Sequence, residues 1–323
     1  MPSRYPIFDR NTLTLASLGQ RRHDLDLGAL FPLAPATTHF PELEIFAEHV
    51  AGARAASRSS LLLMGGHVIR SGVQHYIIDL MRRGYLTCIA MNGAGVIHDF
   101  EFSLIGATTE SVARYIQTGE FGFWQETGRL NDIIARAAEE DLGLGEAVGK
   151  YIHESDLPYA EFSILAQAYS LQIPVTVHVG VGYDIIHQHP NCDGAALGKT
   201  SYRDFLIFAQ QVVSLSKGVV MNFGSAVMGP EIFLKALAMA RNQARNKGAT
   251  VENFSTLVCD LKPLPESYRT EIAKSDPLYY FRPWKTLLVR TTSDAGQSYY
   301  VRGEHRHTIP ALWTTLTEGE RPV

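Results

Sequence analysis

At 323 residues, 46% of them hydrophobic and 19% charged, the chain has enough apolar side chain to bury a large core without a covalent staple. A formal net charge of −4 leaves no basic footprint, which sets aside nucleic acid and anionic membranes as partners and favours a small molecule. Cys88, Cys192 and Cys259 form no CxxC pair, the first fifteen residues lack the apolar stretch of a signal peptide, and no apolar run approaches ~18 residues, so a reducing, cytoplasmic setting and no membrane span are expected.

Residues 1–40, rich in Pro, Arg and turn formers, read as an arm lying over the body or over a neighbouring subunit, and residues 41–323 as one domain. Leu61-Leu62-Leu63-Met64 predicts a buried strand that ends at Gly65-Gly66, and apolar residues at 73, 76, 77, 80 and 81 predict a helix over Val68 to Arg82. Arg82-Arg83 suits a helix end, where cations complement the exposed carbonyls. Leu86 to Met91 is the next strand. It runs into Asn92-Gly93-Ala94-Gly95-Val96-Ile97-His98-Asp99, where small residues let backbone approach a phosphate or ribose and a following helix offers free N–H groups. Glu139-Glu140-Asp141 reads as a solvated face.

Ile173 to Val179 is a β-branched strand stopped by Gly180 and Gly182. The loop that follows carries Asp184, His187, His189, Cys192 and Asp193, five groups able to ligate a metal or move a proton, just past a strand's carboxyl end. The alternative for the histidines is packing, His178 in the core and His187 and His189 on the loop's own carbonyls. Gly218 to Pro230 is a third strand with a glycine-bearing loop, and Pro230 begins a helix over Glu231 to Asn246 with apolar residues at 232, 233, 236, 237 and 240. Leu257 to Asp260 and Leu287 to Arg290 are read as further strands, and Tyr279-Tyr280-Phe281 with Trp284 as a packing patch. Alternating strands and helices predict an α/β fold, a mostly parallel sheet with helices on both faces and glycine loops gathered at one edge.

The succession GGHVIRSG (65–72), MNGAGVIHD (91–99), the strand and DG-containing loop of 173–199, VVMNFGSAVMGPE (219–231) and VRGEHRHTIPAL (301–312) resembles the deoxyhypusine synthase family over about residues 45–315. The resemblance implies a Rossmann-like NAD fold, a homotetramer with sites between subunits, and NAD-dependent oxidation of spermidine followed by transfer of an aminobutyl group through a lysine imine. The family's first NAD segment falls on His67, Val68, Arg70 and Ser71, and its Thr-Thr-Ala-Gly-Gly loop on Met91, Asn92, Gly93, Ala94 and Gly95. Its acidic pair falls on Ile97 and His98. Its Asp-Gly contact matches either Asp193-Gly194 or Asp184, its glycine-rich strand end Gly224 and Ser225, and its late NAD-binding Asp matches Glu304, with His305 beside it. The histidine that follows the glycine strand end is replaced by Gly229 or Pro230, and the Trp-Gly-Lys segment survives only as Trp284-Lys285.

A polyamine needs carboxylates for charge-assisted hydrogen bonds. With His98 in one glutamate position and Lys199 near an aspartate position, the expected substrate is a neutral or anionic small molecule rather than spermidine. The expected chemistry is an NAD-dependent oxidation or group transfer, with His187 or His189 as proton acceptor, His98 beside them, and Lys285 as a candidate nucleophile. Two other classes stay open. One is a metal-dependent hydrolase built on His187, His189, Asp184 and Cys192, the other a non-catalytic NAD-binding paralogue; apart from a metal, Cys192 beside His189 is a candidate nucleophile.

Overall fold

The computed structural model describes residues 3–292 and 296–318. Its centre is a six-stranded sheet, every adjacent pair parallel, in which β2 (Ser60–Met64), β3 (Cys88–Asn92), β5 (Val175–His178), β6 (Val219–Phe223), β7 (Ser255–Asp260) and β8 (Gln297–Arg302) lie in the order β5-β3-β2-β6-β7-β8. The chain therefore begins its sheet in the middle, builds outward through β3 to β5, crosses back to lay β6 beside β2, and builds outward again to β8. Counted in chain order the strands run 3-2-1-4-5-6, the arrangement of the dinucleotide-binding α/β folds. A short ribbon is added where β1 (Leu25–Asp26) pairs antiparallel with β4 (Ala107–Thr108).

The near-continuous apolar strands follow from burial on both faces. Along β2, Leu62 and Met64 enter one hydrophobic cluster and Leu61 and Leu63 the other. The first cluster takes α1 (Pro41–Ala55), α3 (Gln74–Arg82), α4 (Gly93–Ile105), α7 (Leu144–Glu154), α8 (Ile164–Ser170) and α11 (His305–Thr317). The second takes α9 (Gly194–Val213) and α10 (Met228–Asn246), through Phe208, Val212, Phe233 and Leu237. Each such fully buried side chain stabilises the fold by about 1.5–3 kcal/mol. Among the described residues no helix is long and apolar enough to cross a membrane.

Two expectations are revised. The helix over 68–82 is broken into α2 (Gly66–Arg70) and α3, because at Gly72 (φ +74) a Cβ would stand 1.9 Å from the Ala29 carbonyl oxygen; the N-terminal segment crosses there, with Phe31 N–H donating to the Gly72 carbonyl at 2.8 Å. Leu287–Arg290 is not a strand but part of a π-helix over Pro283–Arg290, a short apolar run being readable either way. The sheet is completed instead by β8 beside β7, and its buried run Ser298 to Val301 was not among the expected strands. The segment before residue 40 is only partly superficial: Tyr5, Ile7 and Phe8 are exposed, whereas Leu18 and Arg21 are buried against the body.

Candidate functional site at the carboxyl edge of the sheet

The strand order reverses between β2 and β6, and the two loops that leave them meet. A Cβ on Gly65 would lie 2.5 Å from the carbonyl oxygen of Gly224, and one on Gly224, itself left-handed at φ +67, would lie 2.5 Å from His305 Nε2. Both turns therefore pass the switch point as bare backbone, Gly65-Gly66 on one side and Gly224-Ser225 on the other. Beside them the side chain of His67 is exposed. The reversal of strand order is where dinucleotide-binding α/β folds hold a pyrophosphate, and glycine-bearing turns at that point are compatible with NAD. Gly65, Gly66, His67, Gly224 and Ser225 would hold it.

The start of α4 is set by Asn92, whose Oδ1 accepts from Gly95 N–H at 3.1 Å. The helix then presents His98 and Glu101 three residues apart, on one face. Glu101 is 1% exposed and receives four hydrogen bonds, two from the Arg21 guanidinium (2.9 and 2.7 Å), one from Thr108 (2.7 Å) and one from Thr127 (2.6 Å). Burial works to raise this carboxyl; the hydrogen bonds and charge of Arg21, with the two hydroxyls, outweigh it and hold Glu101 below the usual carboxylate range. His98 Nδ1 lies 2.9 Å from Thr108 Oγ1, and burial pushes this imidazole down to about 4, so it is neutral at pH 7.

His98 and Glu101 line a cavity of about 270 Å³ with Arg70, Glu110, Tyr183 and Asp184. Its apolar wall is Ile97, Val112, Phe121 and Ile185. Asp184 reaches it from the loop after β5, its carboxylate packed so closely on Gly93 that a Cβ there would fall 2.0 Å from Oδ2; burial raises this carboxyl to about 6. Glu110 accepts from Trp124 Nε1 at 2.9 Å and Gly122 N–H at 3.1 Å. Arg21 is spent on Glu101, but among the described residues Arg70 is exposed and has no carboxylate partner.

The other residues expected at the site are placed as follows. His187 Nδ1 accepts from the N–H groups of Gly182 and Asp184, both at 3.1 Å, and its Nε2 stands 3.7 Å from Asp184 Oδ2. His189 is fully buried, donates Nε2–H to the Gly122 carbonyl at 2.7 Å and stacks on Phe123. The two rings thus serve different partners, and among the described residues no three His, Cys, Asp or Glu side chains converge as metal ligands. Cys192 is buried, with its carbonyl bonded by Arg10. Asp193 caps α9, accepting from Ala195 and Ala196 N–H, and Gly194 opens that helix. His178 is buried against Phe208, and Lys199 is a surface residue bonded to the Ala138 carbonyl and Asp141.

Ser71 spends its hydroxyl on the His67 carbonyl. Glu304 is exposed at the start of α11, and His305, pushed down to about 4 by burial, lies edge-on to Phe223 with Nδ1 buried and unpartnered. Lys285 is buried within the π-helix, its Nζ 3.5 Å from the centroid of the Tyr279 ring, and it is not part of the cavity wall. Arg21, Glu101, Thr108 and Glu110 were missed. Only Glu101 left a signal, its helical spacing from His98.

No family model matches the chain, and no curated protein matches it. Among solved structures, a conserved protein assigned as LOR/SDH from Methanococcus maripaludis S2 is similar with a TM-score of 0.51 at 14% identity, over 90% of this chain and 74% of that one. ArgZ, an arginine dihydrolase from the ornithine-ammonia cycle in cyanobacteria, gives a TM-score of 0.50 at 12% identity over 86% of this chain, which spans 32% of ArgZ. A protein from Entamoeba histolytica assigned as a deoxyhypusine synthase reaches 0.45 at 10% identity, over 85% of this chain and 86% of that one, too low to carry an argument. What the first of these likenesses supports is the fold, a Rossmann-like α/β architecture with a parallel sheet flanked by helices.

Proposed function

We propose that the chain is an NAD-dependent enzyme acting on a small molecule other than spermidine, with the cofactor across the β2/β6 switch point and the substrate against the His98 cavity. The observation that carries this reading is the contact of two side-chain-free turns, Gly65-Gly66 and Gly224-Ser225, at the reversal of strand order. When bound, NAD supplies a hydride acceptor.

The chain's own residues orient the substrate. Among the expected histidines, His98 is the one that lines the cavity with a ring nitrogen not engaged by protein, and its neutral imidazole can accept a hydrogen bond from a substrate hydroxyl or amine. Arg70 at the wall can pair with an anionic group, beside the carboxylates of Glu110 and Asp184; Ile97 and His98 stand where the resembled family has its acidic pair. A cavity of about 270 Å³ limits the substrate to a small molecule.

The test is calorimetric titration of the purified protein with NAD, followed by a screen of small alcohols and amines for NADH formation at 340 nm. Saturable binding of about one NAD per chain, with turnover of a neutral or anionic compound and none of spermidine, is the expected result. Absence of any binding heat at millimolar NAD rejects the reading.

A further inference from the structure

The hydrogen bonds around Thr108 fix which nitrogen of His98 carries the proton. Arg21, with two N–H groups, and Thr127 donate to Glu101, and a carboxylate only accepts. Thr108 Oγ1 lies 2.7 Å from Glu101 Oε2, a contact between two oxygens that requires the single hydroxyl proton to sit between them. That proton is then unavailable to His98. At 2.9 Å from Thr108 Oγ1, Nδ1 must therefore be the donor. In a neutral imidazole the other nitrogen is unprotonated, so Nε2 is left as an acceptor in a ring that lines the cavity.

We infer that Thr108, backed by Glu101 and Arg21, is a positioning residue that holds His98 as an Nδ1–H imidazole, so that the ligand group meeting Nε2 is a hydrogen-bond donor, a hydroxyl or an N–H. The inference rests on the His98 cavity being the substrate site, but the tautomer itself does not depend on NAD. Two chain segments contribute to the device. The β1–β4 ribbon places Thr108 beside α4, and the N-terminal segment brings Arg21 to the far side of Glu101. The donors run in one direction, Arg21, Thr127 and Thr108 to Glu101 and His98 to Thr108, so that each bond sets the role of the next.

The test is a long-range 1H–15N correlation spectrum of histidine-labelled protein at pH 7 without added ligand, with the His98 ring assigned by its loss in His98→Asn. The expected wild-type pattern has Nδ1 protonated and Nε2 in the unprotonated range. Thr108→Val, which keeps the shape and removes the acceptor, is expected to bring the Nε2–H form up to a comparable population, and Thr108→Ser to restore the wild-type pattern. An Nε2–H ring in the wild type overturns the inference whether or not the valine variant folds; so does a valine variant whose Nδ1–H signal is unchanged. A normal tautomer in a protein that fails to bind NAD would leave this inference standing and remove the function proposed above.

Discussion

Arg21 and Glu101, 80 positions apart in the sequence, form a two-pronged ion pair at 2.9 and 2.7 Å in which both side chains are 1% exposed. A pair this dry is worth little against an apolar replacement of both partners but is costly to break, because the survivor is left charged and buried. Arg21→Ala is expected to lower unfolding stability by about 3–5 kcal/mol, and the double variant Arg21→Met, Glu101→Leu to recover most of that loss. Urea denaturation of the three proteins measures it; a cost below about 1 kcal/mol for Arg21→Ala would mean that the pair is not formed in solution.

Asp204 is fully buried on α9 and accepts from Gly145 N–H at 2.9 Å and Val177 N–H at 2.8 Å, pinning the start of α7 to the edge strand β5. Burial pushes its carboxyl up to about 8, against an ordinary value of 3.8. The folded state therefore holds a proton that the unfolded state releases, so this group's contribution is complete below about pH 4 and is lost as pH rises toward 8. Asp204→Asn keeps an acceptor and cannot ionise. Between pH 5 and pH 8 the melting temperature of the wild type should fall more than that of the variant, and parallel pH profiles would contradict the assignment.

Gly224→Ala tests the switch point. A left-handed residue other than glycine costs about 1 kcal/mol, and the added methyl group must also displace His305. The expected outcome is a folded protein of reduced stability whose affinity for NAD drops at least about tenfold, or about 1.4 kcal/mol by calorimetry. Unchanged affinity would move the cofactor away from this turn.

Lys285 separates the resemblance from the geometry. It is buried with its ammonium over the Tyr279 ring and is absent from the cavity wall. Lys285→Met is expected to change stability by about 1 kcal/mol and to leave NAD binding within about twofold of the wild type. A variant that binds NAD normally yet loses all turnover would restore the lysine to the chemistry.

Five of the six strands were legible as short apolar runs, four of them stopped by a glycine, and the glycine loops at 65, 93 and 224 do gather at one edge. The histidine-rich loop illustrates what sequence does not carry. His187 and His189 drew attention by density, but a 3-10 turn over Ile185–Gln188 sends them to different partners, one to backbone N–H groups and one to the Gly122 carbonyl. Arg21 was invisible for a different reason: its role depends on the β1–β4 ribbon, a pairing of two residues per strand that leaves no periodicity to detect.

The position of β2 also bears on how the chain reaches its native state. Leu61 pairs with Val220, about 160 residues later, so one flank of the central strand stays open until β6 has been made and docked. While β6 is missing, a leucine-rich strand with unpaired backbone is exposed to any other strand that meets it. A chain stopped between α9 and β6 would carry that open edge permanently, and aggregation of such a fragment is the cost of beginning a sheet from its middle.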